Sequence, residues 1–268
     1  MRLFFTALLF CISVLAAAPA LAREEILAFD IDVTVRKDGD LLVEENITVR
    51  AEGNQIRRGI YREIPFGVLD ERGLWTTNGF HLLSVQQGGK DSPHHTVSQG
   101  RLLRIYIGDA DTYLSPGVYA YTIVYRMSGE LRFFDGFDEV YWNATGNGWS
   151  FPILSTSARV HLPEGAVAQQ VAAYTGAQGE KGSDYYVSGE GTRTVSFRTT
   201  RVLAPGEGLT VAVGFTKGVV MTLGRRADLV PNLLESARIA MAEEVSDEMS
   251  RQRRQTPNAF LDRRCACF

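Results

Sequence analysis

From Leu27 to Arg36 the chain alternates strictly, with Leu27, Phe29, Ile31, Val33 and Val35 set against Ala28, Asp30, Asp32, Thr34 and Arg36. A period of two predicts a strand with one buried and one wet face. Lys37-Asp38-Gly39-Asp40 then reads as a hairpin turn, because Asp38-Gly39 tolerates positive φ. The return strand, Leu41 to Arg50, puts Leu41, Val43, Ile47 and Val49 on one face, and Glu45 falls in that same inward set. Three readings fit Glu45: a β-bulge, a pairing with an arginine, or a buried functional carboxylate.

Further strand signals follow at short spacing: Phe80–Val85, Arg101–Ile107, Gly117–Met127, Glu139–Asn143, Ser157–Leu162, Tyr185–Val187, Thr192–Thr199 and Leu209–Phe215. Gly, Pro, Asp and Ser fill the turns between them. Many short strands with turn signals predict an all-β sandwich or barrel. Tyr119, Tyr121, Ile123 and Tyr125 share one face, read either as core packing or as a ligand-stacking ladder. Gln86 to Gln99 reads as a polar hairpin loop. The strand pattern stops near Gly218. From Arg225 the spacing of Leu229, Val230, Leu233, Leu234, Ala237 and Met241 predicts an amphipathic helix, with Asp228 near its cap and Pro231 in its first turn. The expected organisation is a signal segment over 1–22, a β-domain over 23–218 and a short helical, partly disordered tail over 219–268.

The signal expectation rests on Arg2, the apolar run Leu3–Ala17 and the small-x-small sequence Ala20-Leu21-Ala22, with cleavage after Ala22. The alternative is an uncleaved membrane anchor, for which the run is short, since a spanning helix needs roughly 20 apolar residues. The chain is therefore expected outside the cytoplasm, periplasmic or secreted. A net charge of −3 gives no footprint for nucleic acid. Beyond the signal only Cys265 and Cys267 remain, so the body is expected to rely on its core rather than on disulfides.

Chemistry concentrates in Asp138 to Pro152, DEVYWNATGNGWSFP, which holds Trp142 and Trp149 beside Asp138 and Glu139. Glycan hydrolysis needs two carboxylates across a cleft. On one strand Asp138 and Glu139 point to opposite faces, a poor pair. The packing alternative has the tryptophans filling the core, with Asn143 and Asn147 closing a turn. Arg57, Arg58 and Arg62 form a second cluster, read as an anion clamp or as ion-pair partners of Glu45, Glu63 and Asp138. Asp109 and Asp111 are too few ligands for Ca²⁺, and His81, His94, His95 and His161 lack zinc spacing. No metal or cofactor is expected.

Three blocks together carry a resemblance: Phe29–Val35 with Lys37-Asp38-Gly39, Arg58–Pro65, and Asp138–Pro152, closed by Leu203–Gly208. They resemble the N-terminal domain of the bacterial membrane protein family known as domain of unknown function 2207, over residues of about 24–218. The resemblance implies an exported β-sandwich carried outside the cytoplasmic membrane, without assigned catalytic residues, and the expected fold is an Ig-like antiparallel β-sandwich. Arg225–Glu235 is similar to a LemA signature, which makes a LemA-type protein a speculative partner.

The resulting expectation is a non-catalytic envelope module that binds a protein or ligand partner. Its candidate site is Arg58, Tyr61, Arg62, Asp138, Trp142, Asn147 and Trp149. The alternatives are an envelope hydrolase acting on glycan or peptide through acids near Asp138, and a truncated product of a membrane-anchored family member.

Overall fold

A computed structural model describes residues 23–65, 67–69, 75–77, 79–100 and 102–220. The expected signal segment, the helical tail from residue 221 on, the LemA-like stretch and Cys265-Ala266-Cys267 lie outside the described residues. Within them the chain is all-β, with no helix. The strands are β1 (Glu25–Val35), β2 (Leu41–Ala51), β3 (Ile60–Pro65), β4 (Gly67–Leu69), β5 (Trp75–Thr77), β6 (Gly79–Gln87), β7 (Lys90–Asp91), β8 (His94–Gln99) and β9 (Leu102–Ile107). They continue as β10 (Gly117–Ser128), β11 (Leu131–Phe133), β12 (Phe137–Asn143), β13 (Thr156–His161), β14 (Ala168–Ala177), β15 (Tyr185–Ser188), β16 (Thr194–Thr199) and β17 (Glu207–Thr216).

An eight-stranded sheet runs in the order β15-β16-β13-β1-β2-β10-β6-β7. A four-stranded sheet, β11-β12-β17-β14, and a three-stranded sheet, β3-β9-β8, accompany it, and β4 pairs with β5. One hydrophobic cluster joins the first three sheets. Into it the large sheet sends Phe29, Ile31, Val43, Ile47, Tyr121, Ile123 and Tyr125. Trp142, Leu209, Val211, Val213 and Phe215 come from the four-stranded sheet, and Ile60, Ile64, Ile105 and Ile107 from the three-stranded one. Each fully buried side chain of this kind contributes about 1.5–3 kcal/mol. The Tyr121–Tyr125 face is core: both tyrosines are buried.

Three expectations are corrected. The sheets are not purely antiparallel, because β1 pairs with β13 in parallel, Phe29 opposite Thr156 through Thr34 opposite His161. A parallel pair needs a crossover, and here the strands from β2 to β12 form it. Side-chain alternation carries no strand direction, so the sequence could not show this. The inward phase of β1 also shifts at its start. A register irregularity between Ile26 and Ala28 buries Ile26 and leaves Leu27 only half-buried. Finally, Gln86–Gln99 is not a loop. It contains the end of β6, the turn Gly88-Gly89, β7 and β8. β8 is exposed along its whole length, so it lacks the alternation that marks a half-buried strand.

Glu24, the second residue after the expected cleavage point, is buried. Its Oε1 accepts the main-chain N–H groups of Glu52, Asn54 and Ile56 at 3.0–3.1 Å, and its Oε2 accepts that of Gln55 at 2.7 Å. Burial raises its pKa, but the four donors outweigh this and leave it lowered. A lowered carboxyl stabilises the fold above its unfolded pKa and loses that contribution as pH falls through the folded value. Glu24→Ala is expected to cost about 1–3 kcal/mol at pH 7, because four main-chain donors lose their acceptor. The difference from wild type should shrink in acid, as urea denaturation at pH 7 and pH 3 would show; an equal loss at both would contradict the charge-assisted cap.

Candidate functional site

The site grows from one inward glutamate. Glu45 sits on β2 at an otherwise apolar face, and Arg62 of β3 comes to it across the core. Arg62 is only 2% exposed. Its Nε donates to Glu45 Oε2 at 2.7 Å and its Nη2 to Glu45 Oε1 at 2.9 Å, a fork-to-fork pair. Nη2 also donates to Ala144 C=O at 3.1 Å and Nη1 to Glu63 C=O at 2.7 Å. Tyr125 Oη, from β10, donates to Glu45 Oε1 at 2.6 Å. Burial alone lowers the Arg62 pKa, but the Glu45 charge and hydrogen bonds turn the shift upward. Burial first, then Glu45, pushes the Tyr125 phenol well up. The arginine reading of Glu45 is thus the one the structure shows. A single guanidinium ties the large sheet, the three-stranded sheet and the loop after β12.

That loop, Ala144–Trp149, is built around Arg62. Gly146 has φ +72°, and a Cβ there would lie 2.6 Å from Arg62 Nη1, so the position excludes a side chain on two counts. A Cβ on Gly148 would lie 2.5 Å from Glu63 Oε2. Asn143 Oδ1 accepts the Gly146 N–H at 3.0 Å, and Asn143 Nδ2 donates to Asn147 Oδ1 at 3.1 Å. Asn147 Nδ2 donates to Gly176 C=O at 3.1 Å and Gly206 C=O at 3.2 Å. Trp149 Nε1 donates to Thr145 C=O at 2.9 Å, while its ring meets Phe29 edge-on at 5.9 Å.

Between this loop and β3 lies a cavity of about 440 Å³. Tyr61, Arg62, Glu63 and Pro65 form one wall, Gly146, Asn147, Gly148 and Trp149 the other, with Leu102, Asn143, Ala177, Gln178 and Gly206 at its ends. Tyr61 is 39% exposed. The Arg104 guanidinium lies 4.7 Å over its ring and is itself held by Glu63 and by Tyr106 Oη. Tyr106 lies 6.0 Å from Tyr61 and stacks on His95 at 4.7 Å.

Of the seven expected site residues, the cavity brings together Tyr61, Arg62, Asn147 and Trp149. The other three stand elsewhere. Arg58 is exposed and stacks on Tyr113, 4.2 Å from the ring centroid, donating to its Oη at 2.5 Å. Trp142 is buried, 6.5 Å from Tyr125, because β12 turns it into the shared core. Asp138 is buried near the end of β17, accepting the Gly218 N–H at 3.0 Å, with Lys217 Nζ at 3.9 Å. Burial raises its pKa against the pull of those two groups. Glu139, its neighbour on an unbroken strand, points to the other face and lies 3.7 Å from Arg132. Asp109 folds into a turn, accepting the Asp111 N–H at 2.8 Å. No group of three or more metal-ligating side chains occurs among the described residues. Sequence reading missed Arg104 and Gln178, and took Glu63 only as an ion-pair partner of the arginine cluster. Alternation along Tyr61-Arg62-Glu63 was the available signal, with Tyr61 and Glu63 outward and Arg62 inward.

These features define an all-β domain whose three sheets meet around one buried ion pair and enclose a cavity beside it. A family model described as the N-terminal domain of a predicted membrane protein, DUF2207, matches residues 25–215, and the chain belongs to that family. It is 30% identical over 160 residues to the uncharacterized protein YciQ of Escherichia coli (strain K12), covering 59% of this chain and 25% of that protein. Among solved structures it is similar to native yeast LTA4 hydrolase, at TM-score 0.47 and 9% identity over 76% of this chain and 32% of that one. It is also similar to an M1 zinc metallopeptidase from Deinococcus radiodurans, at TM-score 0.38 and 14% identity over 71% and 42% of the two chains. The chain spans a quarter of the curated relative and less than half of these structures.

Proposed function

We propose that this chain is an extracytoplasmic, non-catalytic binding module of the cell envelope, folded as an Ig-like β-sandwich with one parallel pairing, and that the cavity beside β3 is its ligand site. Membership of a membrane protein family and the N-terminal signal pattern support the location. One observation carries the activity. The cavity sets the apolar surfaces of Tyr61, Pro65, Leu102 and Trp149 beside polar Arg62, Glu63, Asn143, Asn147 and Gln178, and the charges cancel as Arg62 with Glu45 and Arg104 with Glu63. A concavity that combines apolar surface with fixed polar groups is the usual form of a binding site. Asp138 and Glu139, the acids of the hydrolase alternative, do not line it.

A photoreactive amino acid placed at Leu102 is expected to give a discrete crosslinked product in envelope membranes, and Tyr61→Ala is expected to reduce it at least several-fold. The same probe at the exposed Tyr186 serves as control. Equal products from both positions, or a Leu102 product indifferent to Tyr61→Ala, would count against the cavity.

A further inference from the structure

Main-chain direction in β3 follows from its neighbours. The Gly108 N–H, just past β9, donates to Pro93 C=O at 2.9 Å, just before β8. At Gly108 the backbone groups therefore turn toward β8. Antiparallel ladders alternate residue by residue, so Ile107, Ile105 and Leu103 turn theirs toward β3, where they face Ile60, Arg62 and Ile64. The main-chain groups of Tyr61, Glu63 and Pro65 consequently point away from β9. No strand pairs with β3 on that side among the described residues. Two independent details agree. Glu63 C=O accepts Arg62 Nη1 at 2.7 Å, outside the ladder. Pro65, which has no N–H, occupies an outward position where no ladder bond is lost.

This open edge is also the cavity wall, since Tyr61, Glu63 and Pro65 all line it. Opposite, Gly146 and Gly148 pack against the Arg62 guanidinium and the Glu63 carboxylate, which narrows the cavity at residues 62–63 and leaves Tyr61, 39% exposed, as the accessible part of the edge. Two of the carboxamides that could read the hydroxyls of a sugar are committed: Asn143 and Asn147 bond each other, and Asn147 bonds the Gly176 and Gly206 carbonyls. To the side chains that line the cavity the edge adds main-chain donors and acceptors, most openly at Tyr61, because Arg62 already takes the Glu63 carbonyl.

We infer that the cavity takes an extended, uncharged peptide segment, which pairs by its main chain with the edge of β3 at Tyr61. This rests on the reading of the cavity as a ligand site. An added strand gains affinity from backbone hydrogen bonds and specificity from pockets for alternate side chains. The charge cancellation around the cavity favours a neutral segment over an acidic or basic one.

The test uses the full chain and a displayed library of random hexapeptides lacking charged residues, with chitotetraose as a carbohydrate probe. Selected peptides are expected to bind with at least ten-fold loss on N-methylation of the amide opposite Tyr61. A similar loss is expected in Tyr61→Pro, which deletes an outward N–H and leaves the β9 ladder intact, and little change in Tyr61→Phe. Should Tyr61→Pro fail to fold, the N-methylated peptide on the unaltered protein decides alone. Peptides indifferent to N-methylation, or selection of none, would overturn the inference. Chitotetraose shifting the Tyr61 amide in place of peptide would overturn it while keeping the cavity as a ligand site. No ligand at the cavity, with crosslinking elsewhere on the surface, would remove both readings.

Discussion

Replacing Arg62 by alanine is expected to cost about 3–5 kcal/mol, the loss typical of breaking a buried ion pair from one side. The structure explains why the cost is high. Removing the guanidinium leaves Glu45 fully buried, with Tyr125 Oη as its remaining donor. It also strips donors from Ala144 C=O and Glu63 C=O, and opens a void beneath Gly146. Arg62→Lys is expected to recover only part of the loss, because a single ammonium cannot reproduce the forked pair. The double variant Glu45→Leu with Arg62→Met should lose less than the sum of the single changes, since it leaves no unpaired charge. Urea denaturation of the four proteins gives the coupling directly. A loss below about 1 kcal/mol for Arg62→Ala would mean that the ion pair is replaceable by water, contrary to its burial.

Glu139→Gln is expected to act in the opposite direction. Glu139 is 0% exposed, and neither carboxyl oxygen has a hydrogen-bond donor. Burial pushes its pKa up to about 7, against the attraction of Arg132 on β11. Tyr141 on the same strand face stacks with Arg132 at 4.3 Å, and Glu139 contributes to the raised pKa of Tyr174 on β14, after burial and Tyr185. The folded state holds this proton more tightly than the unfolded chain does. Stability is thus greatest below the unfolded pKa of about 4.5 and falls as pH rises toward 7, by about 3 kcal/mol in all at 1.36 kcal/mol per unit. Glutamine keeps the shape and cannot ionise. The variant should match wild type near pH 5 and exceed it by about 2–3 kcal/mol at pH 8. Denaturation midpoints at both values check this, and identical pH slopes in the two proteins would falsify it.

Much of the fold was legible because its signals are local. The strands with one wet face, β1, β2, β9, β10 and β16, follow directly from alternation. β14 was not seen, because Ala168, Ala172 and Ala173 give a weak contrast between faces. β8 was not seen because it projects past the core and is wet on both sides. The site was legible in part for the same reason. Glu45 broke the pattern of its own strand, and such a violation in a regular sequence points to a tertiary partner, whereas Arg62 was drawn in as a member of the cluster with Arg57 and Arg58. Trp142 and Asp138 were drawn into the candidate site only by closeness in sequence to Trp149. β12 turns them into the core and toward the end of β17, away from the loop.

The sequence by itself determined that the described residues are all-β, where most of their strands run, and which faces they bury, since these depend on side chains two residues apart. Its motifs also determined the family. Tertiary structure alone decided the parallel pairing of β1 with β13, the choice of Arg62 rather than Arg58 for Glu45, and the outward edge of β3 that walls the cavity. Each of these depends on contacts between segments distant in the chain, and a pattern of period two is blind to strand direction, partner and edge.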